Sequence, residues 1–67
     1  MRVSVNDEIM DVPPGISVGA LLSLLEIQSF AGMALAINNE VVSRNDWETT
    51  SLSENDKVLI IRATKGG

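Results

Sequence analysis

The residues best placed to do chemistry in this chain are its last two, Gly66 and Gly67. Glycine lacks a Cβ, so two in succession make an end thin enough to enter a channel that side chains cannot. The reactive group would then be the Gly67 carboxyl itself. An ordinary chain end of small residues has the same look, so the dipeptide leaves both readings open. The other routes to catalysis are poorly stocked. The 67 residues include no cysteine and no histidine, which removes the thiolate nucleophile and the usual general base. The same absence removes the common zinc ligands. The carboxylates are scattered and form no spacing typical of an acid/base pair or a metal site. These features point away from a self-sufficient catalytic centre and toward a chain that is acted upon.

Charge narrows the partners. The net charge is −4. Arg2, Arg44, Lys57, Arg62 and Lys65 are dispersed along the sequence, whereas a phosphate-binding face needs them clustered. No nucleic-acid partner is therefore expected. An acidic balance suits docking on a basic protein surface. No apolar run approaches the length of a membrane span. Met1 to Val5 alternates like a strand and does not resemble a signal peptide. A cytoplasmic setting is the simplest reading.

The elements that must carry such a tail follow from periodicity. Val3 and Val5 alternate with Arg2 and Ser4, Asn6-Asp7 is turn chemistry, and Glu8 to Val12 returns as a second strand. Pro13-Pro14-Gly15 ends that hairpin. Ser17 reads as a helix N-cap. Val18, Leu21, Leu22 and Leu25 recur at helical spacing, with Leu24 widening the stripe. Gln28 to Gly32 is a loop in which Phe30 is expected to fold back over the helix end. Met33 to Ile37 is a third strand, and Asn38-Asn39 turns the chain into Glu40-Val41-Val42. Ser43 to Thr50 reads as polar and irregular, with Trp47 as its core anchor and Arg44 paired with Asp46 or Glu48. Ser53 to Asp56 is a turn, and Lys57 to Ala63 is the last strand. That strand is apolar at both parities, which marks it as central.

The predicted fold is α+β, a β-grasp in which one helix crosses one face of a mixed sheet. Residues 1–63 form the domain and 64–67 a flexible tail. Val3, Val5, Leu21, Leu25, Leu35, Ile37, Val58 and Ile60 form the predicted core. One helix cannot cover both sheet faces. Ala34, Ala36, Leu59 and Ile61 fall on the uncovered one and make a candidate docking patch. Fully extended, the four residues beyond it reach roughly 13 Å.

Several stretches carry a resemblance to a known family. They are Val3 to Glu8, Ser17-Val18 with Leu21-Leu22, and above all Ala36-Ile37-Asn38-Asn39-Glu40-Val41-Val42-Ser43-Arg44 with Trp47 three residues on. With Leu52 to Asp56 and the apolar run to Gly67, the chain resembles the ubiquitin-like sulfur carriers of thiamine biosynthesis, the ThiS family. Ser43 stands where that family commonly has proline. The resemblance implies that Gly67 is the covalently modified residue. A ubiquitin-activating-like adenylyltransferase, using ATP and magnesium, would adenylate it, and a persulfide sulfur donor would convert it to a thiocarboxylate. Thiazole synthase would then take the sulfur. Gly66, Lys65 and Thr64 would thread the partner's channel. The chain itself would bind no cofactor and would be a co-substrate, not an enzyme. The small subunit of molybdopterin synthase shares this chemistry and is one alternative. A ubiquitin-like modifier or passive interaction module is another.

Overall fold

The computed structural model describes residues 1–63, from β1 (Arg2–Val5) and β2 (Glu8–Asp11) through α1 (Val18–Leu24) to β3 (Met33–Ile37) and β4 (Glu40–Val41). A single 3-10 turn (Arg44–Asp46) and β5 (Lys57–Arg62) complete it. Thr64, Lys65, Gly66 and Gly67 lie outside the described residues. The strands form one mixed sheet in the order β2-β1-β5-β3-β4. β5 is thus central, parallel to β1 and antiparallel to β3, as its two apolar parities require.

Two asparagine-led turns set this register. Asn6 and Asp7 have φ of 51° and 71°, and Asn38 and Asn39 have φ of 51° and 72°. Both pairs therefore make the two-residue left-handed turn that suits the sheet's twist. Each leading asparagine also reaches the central strand. Asn6 Oδ1 accepts from the Ile60 N–H at 2.8 Å, and its Nδ2 donates to the Ile60 carbonyl at 3.3 Å. From the other side, Asn38 Oδ1 accepts from the Lys57 N–H at 2.9 Å, and Nδ2 donates to Asp56 Oδ1 at 3.0 Å. Asn38→Ala removes both side-chain bonds and puts a less tolerant residue at positive φ. A loss of about 1–3 kcal/mol is expected. Urea denaturation followed by Trp47 fluorescence checks it.

Ser17 caps α1, its Oγ accepting from the Ala20 N–H at 3.0 Å. Two further N–H groups of the first turn are satisfied by the loop after the 3-10 turn. Val18 N donates to Thr50 O at 2.9 Å, and Gly19 N to Trp47 O at 3.0 Å. A Cβ at Gly19 would stand 2.8 Å from a Glu48 carboxylate oxygen, the far end of an exposed and flexible side chain that can move aside, so packing does not demand glycine there. Val18, Leu21 and Leu22 are fully buried against the sheet. Leu24 does not widen that stripe and is 55% exposed. At 100° per residue it falls roughly 110° around the helix from the centre of the buried face.

Val3, Val5, Leu21, Leu35 and Val58 are buried as predicted, while Leu25, Ile37 and Ile60 are half-buried at the margin. Loops complete the core through Val12, Ile16, Trp47 and Leu52. Trp47 is the anchor its position suggested, and its Nε1 donates to the Val42 carbonyl at 3.1 Å. Phe30 closes edge-on against Trp47, ring centres 5.3 Å apart. Arg44 does not pair with Asp46 or Glu48. Its guanidinium lies over the Phe30 ring, 5.2 Å from the centre. Among the described residues the ion pair is Arg2–Asp11, a cross-strand pair at 3.6 Å between exposed side chains, which contributes little.

Candidate functional site

Side chains alternate across a sheet, so the pairing register decides who shares the face opposite α1. Leu59 of β5 opposes Ala36 of β3, and Ala36 opposes Val41 of β4. One step along, Ile61 opposes Ala34. On the other side of β5, Lys57 opposes Ser4 of β1, which opposes Ile9 of β2. The four residues predicted for this patch do share one face. Leu59, Ile61 and Ala34 are open to solvent, with Leu59 at 42% and Ile61 at 53%. Ala36 is a correction. It is only 7% exposed, because its methyl lies between the larger Leu59 and Val41. It shapes the patch floor and presents almost no surface.

Sequence reasoning missed Val41 and Ile9, which are 74% and 70% exposed. The signal was available in the turns. A two-residue turn at Asn38-Asn39 makes Ile37 oppose Glu40 and therefore Ala36 oppose Val41. The turn at Asn6-Asp7 likewise makes Ser4 oppose Ile9. The result is an uneven face. Leu59, Ile61 and Val41 crowd the half over β5, β3 and β4, and Ser4 with Lys57 separates them from Ile9.

The patch borders the end of β5, next to the last described residue, Ala63. β5 runs past Ile61 and Arg62 to Ala63, whose N–H donates to the Gly32 carbonyl at 2.8 Å. Ile61 is therefore the patch residue nearest the C-terminal end of the strand. The predicted tail residues, Thr64 to Gly67, follow at once and lie outside the described residues.

A separate open cleft of about 420 Å³ lies between β4 and residues 46–51, with Glu40, Val41, Asp46 and Thr49 in its wall. It borders Ile37, at the end of β3 opposite the Met33–Arg62 pair. Among the described residues no group of three or more His, Cys, Asp or Glu is placed to hold a metal ion. No described helix is long and apolar enough to cross a membrane.

The described sheet carries one helix on one face and an apolar patch at the end of β5 on the other. The model of the ThiS family matches residues 2–67. The chain belongs to the ThiS family. Sulfur carrier protein ThiS of Escherichia coli (strain K12) is 36% identical over 67 residues, covering 100% of both chains. The crystal structure of a thiamine biosynthesis protein (ThiS) from Geobacter metallireducens superposes with a TM-score of 0.86 at 26% identity, over 100% of both chains. The solution structure of a thiamine biosynthesis protein from that organism gives 0.79 at 26% identity, over 100% of this chain and 88% of that one. The β-grasp expected from the order of elements is the fold of this family.

Proposed function

We propose that this protein is the sulfur carrier of thiamine biosynthesis and that Gly67 carries the sulfur. One observation supports the reading above the rest. The similarity to a sulfur carrier runs over all 67 residues and so takes in the terminal Gly66-Gly67. The protein is then a carrier and not a catalyst.

The chemistry follows from the group involved. A carboxylate is a poor electrophile. A ubiquitin-activating-like adenylyltransferase joins the Gly67 carboxylate to the α-phosphate of ATP, with magnesium, and pyrophosphate leaves. The outer sulfur of a cysteine persulfide attacks the acyl carbon and AMP leaves. A thiol then cleaves the sulfur–sulfur bond, supplying the two electrons that release the thiocarboxylate. Thiazole synthase accepts that tail and takes the sulfur. ATP and magnesium belong to the activating enzyme; this chain holds no cofactor of its own. Gly66 keeps the approach narrow, while Lys65 and Thr64 make backbone contacts in the channel.

In this reading the activating enzyme docks on Leu59, Ile61 and Val41, on the face that ends near Ala63. Ile61→Asp tests the docking face. The residue is half-exposed, so the fold should survive within about 0.5 kcal/mol. A carboxylate desolvated at the interface without a partner is costly. A loss of affinity of about tenfold or more is expected by titration calorimetry, and wild-type affinity would remove the patch from the docking face.

The carrier reading itself is tested by intact mass. The protein is incubated with activating enzyme, ATP, magnesium and a persulfide donor. Exchange of one oxygen for sulfur at Gly67 is expected. Attachment of a whole protein would instead mark a modifier, and an unchanged mass would defeat the carrier reading.

A further inference from the structure

We infer that Gly32 is a positioning residue for the tail, fixing Ala63, the last described residue before it. The inference rests on the carrier reading for its functional consequence and on local geometry for its physical basis.

Gly32 immediately precedes β3 and has φ of +69°. Its carbonyl accepts the Ala63 N–H at 2.8 Å. The β3–β5 register pairs Met33 with Arg62, so Gly32 and Ala63 are the next pair along the ladder. The left-handed turn of Gly32 sets the start of β3 while leaving its carbonyl on the Ala63 amide. This is the backbone hydrogen bond nearest the C-terminus among the described residues. Space is not what excludes a side chain here. A Cβ at Gly32 would meet the Ala63 Cβ at 3.5 Å, an ordinary contact. The requirement is the backbone angle, which an L-residue other than glycine adopts only at a cost.

The consequence is a defined reach. From a pinned Ala63, the four residues to the Gly67 carboxyl extend at most roughly 13 Å. Release of Ala63 moves the last fixed point back along β5 and loosens the direction in which the chain continues. Both lower the effective concentration of the carboxylate at the activating phosphate. Chemistry after adenylate formation is untouched, so the loss should fall on KM for the carrier more than on kcat.

Gly15 supplies a matched control. Its φ is +74°, nothing lies within 4 Å of a Cβ built there, and it sits between β2 and α1. Gly15→Ala therefore imposes a comparable backbone cost away from the tail. Gly32→Asn supplies the rescue, because asparagine visits the left-handed region more readily than alanine.

The experiment measures amide hydrogen exchange at Ala63 and the rate of sulfur gain at Gly67 in the full chain and its three variants. Gly32→Ala should speed Ala63 exchange by about five- to thirty-fold and raise KM for the carrier by about two-fold or more. Gly15→Ala should leave both unchanged at a similar loss in melting temperature, and Gly32→Asn should recover most of each. If the wild type gains sulfur and Gly32→Ala matches it in both readouts, the positioning inference fails while the carrier reading stands. If Gly15→Ala slows sulfur gain as much, the effect is general stability and the inference also fails. If the wild type gains no sulfur, the carrier reading falls and takes the positioning role with it.

Discussion

Leu35→Ala is expected to unfold most of the protein at room temperature. Leu35 is 1% exposed at the centre of the cluster that joins β3 to α1. Truncating a buried leucine costs about 2–5 kcal/mol in lost transfer energy and residual cavity. A core this small supplies only about 3–5 kcal/mol in all. The chain has no disulfide to make up the difference. Leu24→Ala should lower the melting temperature little, since that side chain is 55% exposed. Circular dichroism melts of the two variants check the pair. The single buried Trp47 reports the same transition by fluorescence. An unchanged melting temperature for Leu35→Ala would mean that the helix packs elsewhere.

The contrast between these leucines shows where sequence patterning was sufficient. Strand parity in β1, β3 and β5 and the helical stripe of α1 identified Val3, Val5, Leu21, Leu35 and Val58, all now buried. Those patterns are local and repeat within one element. Leu24 was misjudged because apolar character alone does not say which way a residue points on a seven-residue helix. Val12, Ile16 and Leu52 were not on the predicted core list for a different reason. Val12 and Ile16 sit in the connection from β2 to α1 and Leu52 in the one before β5, where no period exists to reveal that the two segments converge under the sheet. Arg44 shows a third limit. Nearby carboxylates in sequence suggested an ion pair, but the loop brings the guanidinium over Phe30, 14 residues upstream by numbering. The open face was half legible. Parity alone placed Ala34, Ala36, Leu59 and Ile61 together, whereas Val41 and Ile9 needed the register set by two asparagine-led turns.

Deleting Gly67 is expected to abolish sulfur loading without altering the stability of the domain. Every core contact described above lies within residues 1–63, so the melting temperature should stay at the wild-type value. The reactive end is another matter. The new carboxylate would stop one residue, roughly 3.3–3.6 Å, short of the activating phosphate. In-line attack needs the reacting atoms within about 3–3.5 Å, so a shortfall of that size removes the advantage of a positioned reactant. Gly66→Val should fail by another route. It restores the length but adds a branched side chain where the channel must be narrow, and it stiffens the backbone next to the reacting carbonyl. The two variants are therefore separable by restoring length and not by binding. Both should dock through Leu59, Ile61 and Val41, yet extending the tail past Gly67 with a third glycine restores nothing to Gly66→Val. Intact mass after incubation with activating enzyme, ATP, magnesium and persulfide donor gives the readout for each. Sulfur gain at the wild-type rate by the chain lacking Gly67 would show that the reactive carboxyl is not held at a fixed depth. The carrier mechanism in this form depends on that depth, because the chain has no cysteine or histidine with which to replace the lost end.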